Sequence, residues 1–218
     1  MFARTERLLL RPAWEEDADA LFLAISDERI VRNLATAPWP YRPEDAAGWI
    51  AGEQAPHRPA SLIFLRGDAA PVLIGGIGIH DTPEGEVELG YWIARTHWGR
   101  GYASEAGRAV VGFAREALRL PRLVAGHFLD NPASGSVLRN LGFQPTGRIA
   151  MRHILARGAD TPTAEFVLEL NRDDEAEEPE LAVRPMAAWR ALTCFPGEGP
   201  WPSLLGKAAS LRLSRRQA

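Results

Sequence analysis

The sequence predicts a mixed α/β fold, and three observations carry the prediction. Stretches with an apolar residue at every second position alternate along the chain with stretches whose apolar residues recur at helical spacing. The two periods meet at one sharp junction. There the run Val87, Leu89, Tyr91, Ile93 passes through the turn Trp98-Gly99-Arg100-Gly101 into the helical run Ala103, Ala106, Gly107, Val110, Phe113, Ala114, Ala117. No internal repeat runs through the 218 residues, a length that suits one domain with a sizeable core, alone or with an appendage.

Arg7 to Pro12 reads as the first strand, closed by proline. Trp14 to Ser26 follows as an amphipathic helix: Ala18, Leu21, Phe22 and Ile25 share a face, and Glu15, Glu16 and Asp17 place negative charge in the first turn. A shorter helix begins near Arg42, with Pro43 in its first position and Ala46, Trp49 and Ile50 along it. Val31 to Tyr41 joins the two helices. It carries Trp39 between prolines and then Tyr41, aromatics that either meet a substrate or plug the space between helices.

Ser61–Arg66 and Val72–His80 are strands joined by a turn at Gly67-Asp68, and Gly75-Gly76 marks a bulge or a close backbone approach. After the turn Asp81 to Glu86 comes the strand Val87–Ile93, with Glu86, Glu88, Gly90 and Trp92 on the face opposite Val87, Leu89 and Tyr91. The central helix, Ser104–Ala117, leads to the strand Leu123–Phe128. A helix capped by Asn131, opened by Pro132 and stopped by Gly142 then turns Val137, Leu138 and Leu141 to the core. Gly147–Leu155 and Ala164–Leu170 form a last antiparallel pair, with Arg157 to Pro162 as its loop.

Beyond Asn171 the composition changes. Arg172 to Glu180 is acidic and poor in apolar residues, prolines punctuate the remainder, and Arg212, Arg215 and Arg216 make the end basic. One domain is therefore expected over residues 1–171, with a poorly structured linker and tail over 172–218 in which Trp189 and Trp201 are available for docking.

A net charge of −3 and a pI of about 6.0 offer no electrostatic case for nucleic acid or for an anionic membrane. Cys194 is the single cysteine, which excludes an internal disulfide and fits a reducing compartment. The five histidines are scattered and no CxxC or HExxH is present, so no metal is expected. Leu8-Leu9-Leu10 is too short for a signal segment or a membrane span. A cytoplasmic protein, monomer or homodimer, is the expectation.

The turn at residues 98–101 has the makings of an anion site. Glycines let the backbone aim several N–H groups at one point, and the first N–H groups of the following helix lack intrahelical partners. No Lys-Ser/Thr closes the turn and there is no Gly-x-Gly-x-x-Gly, so neither common phosphate loop is present. By its glycines alone, the segment reads equally as an ordinary left-handed turn.

The wording goes further. Glu88-Leu-Gly-Tyr-Trp-Ile93 followed by Trp98-Gly99-Arg100-Gly101-Tyr102-Ala103-Ser104-Glu105-Ala106 closely resembles the acetyl-CoA-binding core of the GNAT superfamily of N-acetyltransferases, in its RimJ/RimL-like branch of ribosomal-protein N-terminal acetyltransferases. The superfamily's pyrophosphate loop reads (Gln/Arg)-x-x-Gly-x-(Gly/Ala). Gly101 and Ala103 match it, and Trp98 stands where Gln or Arg is usual. Arg7-Leu-Leu-Leu-Arg-Pro12 resembles the branch's opening phrase, and Asn131 to Phe143 resembles the superfamily's Asn-x-x-(Ala/Ser) helix ending in Gly-Phe. The resemblance extends to about Leu170.

It implies a mostly antiparallel, seven-stranded sheet with helices on both faces and a central parallel pair, Val87–Ile93 and Leu123–Phe128, splayed to hold the pantetheine of acetyl-CoA. It implies Trp98, Gly99, Arg100, Gly101, Tyr102, Ala103 and Ser104 at the pyrophosphate, with Asn131 also on the donor. An amide near Trp92 or Ile93 would polarise the thioester carbonyl. Glu88 would be the general base, provided burial raises its pKa. The leaving thiolate is protonated in many members by a tyrosine whose place here is Leu138, so that role passes to Ser134. Trp39 and Tyr41 would line the acceptor groove. Residue by residue, plainer readings stand beside these: Glu88 decorating a solvated strand, Asn131 as a cap alone, Ser134 as a small first-turn residue. Glu105 reads as a favourable helix-start charge, Glu86 as surface, and His80 and His127 as packing or surface. The acceptor is a protein or peptide α-amino group, or else a small amine such as a polyamine, amino acid or aminoglycoside. A non-catalytic acyl-CoA sensor or a pure interaction protein would use the same fold.

Overall fold

A computed structural model describes residues 1–52, 57–67 and 70–170. The expected linker and tail, and Asp68 of the expected Gly67-Asp68 turn, lie outside the described residues. Within them the strands are β1 (Ala3–Arg4), β2 (Leu8–Arg11), β3 (Ala60–Leu65), β4 (Val72–Asp81), β5 (Val87–Ile93), β6 (Arg122–Phe128), β7 (Gln144–Ile154) and β8 (Ala159–Glu169). The helices are α1 (Ala18–Ile25), α2 (Glu28–Val31), α3 (Pro43–Ala51), α4 (Tyr102–Glu116) and α5 (Pro132–Asn140).

One sheet takes all the strands in the order β1-β2-β3-β4-β5-β6-β8-β7. Every neighbouring pair is antiparallel except β5 with β6. A parallel pair cannot be joined by a hairpin, and α4 supplies the crossover. The β5–β6 ladder consists of one residue pair, Glu88 with Val124. Leu89 to Ile93 has no β6 partner, so the two strands part toward their C-terminal ends.

Alternation along β5 divides its side chains between two cores. Leu89 and Ile93 enter the core under α4 and α5, with Leu10, Ile77, Val110, Leu138 and Phe143. Trp92 packs against the core of α1 to α3, with Leu21, Ile25, Tyr41 and Phe64. Burying a side chain of this kind contributes about 1.5–3 kcal/mol. A register slip of one residue would exchange the two sets, so the cores fix which face each β5 residue serves.

The structure departs from expectation in several places. β1 adds an eighth strand by pairing with β2. The helix expected from Trp14 opens instead as a 3-10 turn, Glu15–Asp17, because the buried Asp17 carboxylate accepts from Trp14 N–H at 2.8 Å and from both ends of the Arg11 guanidinium at 2.7 Å. α2, a single turn capped by Asp27, fills the stretch between the expected first helix and the expected Val31 to Tyr41 connection. The final hairpin is longer than its periodicity indicated. Leu155–Arg157 makes a 3-10 turn, Gly158 reverses the chain at φ 59°, and strand resumes at Ala159 inside the expected loop. Both readings of Gly75-Gly76 are realised. The β3–β4 register skips Ile74, and a Cβ on Gly76 would lie 2.6 Å from the Trp92 indole nitrogen.

Candidate active site

Gly99 and Gly101 hold φ at 72° and 79°, a region that costs other L-residues about 1–2 kcal/mol. Gly101 is the N-cap of α4, so the N–H groups of Tyr102, Ala103 and Ser104 begin the helix without intrahelical partners. The turn from Trp98 to Gly101 is exposed. Ser104 and Tyr102 are buried, so these two expected donor contacts reduce to their backbone N–H groups.

The connection between β1 and β2 braces this turn. Arg7 Nη1 donates to the Arg100 carbonyl at 3.1 Å, Arg7 Nε meets Glu105 Oε2 at 2.7 Å, and the guanidinium lies 4.6 Å above the Tyr102 ring. Thr5 Oγ1 and the Arg7 N–H both donate to Glu105 Oε1, at 2.5 and 2.9 Å. Glu105 is thus a buried anchor rather than a simple helix-start charge. Burial pushes its carboxyl up, but the bonds from Thr5 and Arg7 outweigh that and hold it below the usual carboxylate range.

At the other end of the turn, Ala94 N–H donates to the Ile74 carbonyl at 2.7 Å. Bonded and non-bonded pairs alternate in an antiparallel ladder, so the Trp92 amide turns to β4 and the Ile93 amide turns away, toward the gap left by β6. Of the two amides expected to meet a carbonyl, only that of Ile93 faces the opening. Its carbonyl is occupied: Trp98 Nε1 donates to it at 2.6 Å, tying the glycine turn to the strand end.

A half-open cavity of about 690 Å³ runs through the β5–β6 gap. Glu88, Trp92 and Gly126 line it from the α1–α3 side, Tyr91, Asn131 and Ser134 from the α5 side, and Leu21, Leu34, Tyr41 and Trp49 form an apolar wall. Trp39, 40% exposed, is not among the residues that line this cavity. Tyr41 does line the cavity while packing between α1 and α3, and burial pushes its phenol to about 12.

Glu88 is buried rather than decorating a solvated face. Arg152 Nη1 donates to its Oε1 at 2.5 Å, and His80 Nε2 stands 3.6 Å from its Oε2. Burial pushes the carboxyl up, but the contact with His80 and the charge and bond of Arg152 outweigh it, holding Glu88 below the usual range. This reverses the direction on which its role as a simple base depended. On the opposite face, Tyr91 Oη lies 2.7 Å from Ser134 Oγ and 3.1 Å from the Ser134 carbonyl. Asn131 caps α5, its Oδ1 accepting from Ser134 N–H at 3.4 Å.

The acetyltransferase (GNAT) domain family matches residues 7–144. The chain belongs to the GNAT family. YoaA of Bacillus subtilis, an uncharacterized N-acetyltransferase, is 34% identical over 153 residues, covering 66% of this chain and 82% of YoaA. A GNAT-family acetyltransferase from Bacillus anthracis superposes with a TM-score of 0.67 at 22% identity, over 78% of this chain and 99% of that one. RimL, a ribosomal L7/L12 α-N-protein acetyltransferase in complex with coenzyme A, superposes with a TM-score of 0.65 at 20% identity, over 78% and 98%. At those identities the two structures speak for the fold alone.

Acetyl-CoA is the acyl donor of this GNAT acetyltransferase, and it supplies an acyl carbon activated by its thioester. The residues present suit it. An exposed glycine turn at a helix start offers N–H groups to a pyrophosphate, and the open side of β5 offers the Ile93 amide to an acyl oxygen. Sequence reasoning did not find three residues of this GNAT site. Arg152 comes from β7, where exposed neighbours hide it. Arg7 carries no local signal beyond the opening phrase Arg7 to Pro12. Alternation places Tyr91 on the core face, and its hydroxyl is the signal that a buried polar tip requires a partner.

Proposed function

We propose that this enzyme acetylates the α-amino group of a protein or peptide N-terminus. The observation that carries the reading is the cavity wall: apolar and aromatic on the α1–α3 side, with one buried carboxylate already engaged by a cation. A polyamine or aminoglycoside brings several ammonium groups and needs several uncommitted carboxylates. Here Arg152 adds positive charge, Asp45 at the α3 edge is committed to the Arg42 N–H at 2.8 Å, and the exposed Glu44 is the one other carboxylate among the lining residues. An N-terminus brings one ammonium and an apolar first side chain, which suit Glu88 and the wall of Leu21, Leu34, Tyr41 and Trp49. RimL, which shares this fold, is by its description a ribosomal L7/L12 α-N-protein acetyltransferase, so the fold can accommodate such a substrate.

In this reading Glu88 Oε2 receives the ammonium, while Arg152 holds Oε1 and keeps the carboxylate charged. His80, 60% exposed at its side chain, carries the proton from there to solvent. The neutral amine then attacks the acyl carbon with its oxygen held by the Ile93 N–H, and Ser134 faces the departing sulfur. Free-thiol release with a peptide panel, spermidine and an aminoglycoside tests the substrate. Peptides with an apolar first residue should turn over fastest, and N-terminally blocked peptides not at all. Turnover of spermidine or the aminoglycoside with all peptides inert would overturn the reading.

A further inference from the structure

We infer that Tyr91 is a positioning residue for the leaving group: its phenol donates to Ser134 Oγ and so turns the Ser134 hydroxyl hydrogen outward, toward the departing sulfur. The inference rests on Ser134 facing that sulfur in the proposed reaction. Family members with a tyrosine on the helix have a hydroxyl that is absent here, since Leu138 is fully buried in the core. A phenol reaches the gap by another route, from the odd face of β5.

The geometry leaves two ways to place the two hydroxyl protons. In one, Tyr91 donates to Ser134 Oγ at 2.7 Å, and the Ser134 proton points into the cavity. In the other, Tyr91 donates to the Ser134 carbonyl at 3.1 Å, and Ser134 donates to Tyr91. The second bond is longer, and the Ser134 carbonyl already lies in the ladder of α5 as the acceptor for the residue one turn on. Negative charge growing on sulfur selects the first arrangement, because only that one presents it with a donor.

The pair works as a donor and not as an acid. Burial pushes the Tyr91 phenol to about 12, with the Ser134 bond pulling it partly back, whereas a thiol ionises near about 8.5. Complete transfer from phenol through Ser134 to sulfur would run uphill. The balanced step is therefore simple. The N–C bond forms from the amine lone pair, the C–S bond breaks, and its electron pair leaves on sulfur as thiolate, hydrogen-bonded by Ser134 Oγ–H. The proton lost is the amine's, which exits on the Glu88 side. A neutral donor chain polarised by a second hydroxyl does this without introducing charge beside the thiolate.

The test compares CoA with desulfo-CoA, which lacks the sulfur, by calorimetric titration from neutral to alkaline pH on wild type, Tyr91→Phe, Ser134→Ala and the double variant. The wild type should come to prefer CoA over desulfo-CoA as pH rises through the thiol range, because a bound thiolate is stabilised. Tyr91→Phe should lose most of that preference and lower kcat by about tenfold, the worth of one such hydrogen bond, with the KM for acetyl-CoA little changed. The double variant should lose no more than Ser134→Ala alone. If Ser134→Ala loses the preference and Tyr91→Phe keeps it, the inference is overturned while the reading of Ser134 stands. If Ser134→Ala keeps it, the reading of Ser134 falls and takes the inference with it. A loss in the double variant equal to the sum of the two singles would also overturn the coupling.

Discussion

The two faces of β5 open on one gap with different chemistry. On the even face Glu88 is a buried charge, gripped by Arg152 and approached by His80. On the odd face Tyr91 and Ser134 are neutral hydroxyls that hold each other. Amide formation from a thioester removes a proton on one side of the acyl carbon and builds negative charge on the other. A carboxylate suits the first task and would oppose the second by like-charge repulsion in a low-dielectric site. The pleat of one strand keeps the two apart, since successive side chains point to opposite faces of the sheet.

Removing the charge from the even face should have the largest effect. Glu88→Gln keeps the shape and is expected to lower kcat by about 10²–10³, while CoA affinity, measured calorimetrically, stays near wild type. An unchanged kcat would show that the amine is not handled on that face. Next comes a charge placed on the donor side. Gly101→Glu puts a carboxylate into the anion turn at φ 79°, and CoA binding should weaken by tenfold or more, given about 1–2 kcal/mol of backbone strain plus repulsion. Undiminished affinity would reduce the turn to a mere connection.

The brace behind that turn gives a moderate effect on stability. Glu105→Ala strips Thr5 Oγ1 and the Arg7 N–H of their acceptor and should cost about 1–3 kcal/mol, read from the denaturant midpoint, with CoA affinity falling alongside. If stability dropped and CoA affinity held, the brace would serve the fold without shaping the site.

The smallest effect expected is a pH dependence. The Glu88 carboxyl is held below its ordinary value, so at acid pH the unfolded chain binds the extra proton. Its contribution to stability is complete above the unfolded value of about 4.3 and drains as pH falls through the folded value. Arg152→Met removes the main countercharge and should raise the Glu88 pKa, moving both the acid loss of stability and the acid limb of kcat to higher pH. The accompanying loss of stability should be about 1–2 kcal/mol, below that of a fully buried pair, because Arg152 is partly exposed. Thermal melts across pH on the two proteins settle whether Arg152 sets the charge of the even face.

Much of this was legible from residues alone, for identifiable reasons. The period of two from Val87 to Ile93 assigned Glu88 and Trp92 to one face and Leu89 and Ile93 to the other, and packing upheld it because a slip would bury the wrong set. Gly101 and Asn131 announced their helix starts, since only certain residues serve there. Illegible was everything set by partners far away in the chain. Arg152 is 64 residues from Glu88 and, with His80, holds its carboxyl below the usual range. Glu105 is 98 residues from Arg7, so no local pattern could show that it anchors the β1–β2 connection to the anion turn. Trp39 and Tyr41 are two residues apart with similar local signals, yet one packs between helices and the other does not.

The sequence by itself determined the mixed fold, the strand–turn–helix that presents N–H groups to an anion, and the family, because those follow from short-range periodicity and from glycines whose backbone conformations other residues resist. Only the tertiary structure decided which amide faces the gap, which oxygen of Glu88 is taken, and that the Tyr91 phenol of β5 meets the Ser134 hydroxyl of α5. Those depend on how strands diverge and on which side chains converge across the sheet, and the free energy of a buried charge or hydrogen bond belongs to the pair and its surroundings rather than to either residue.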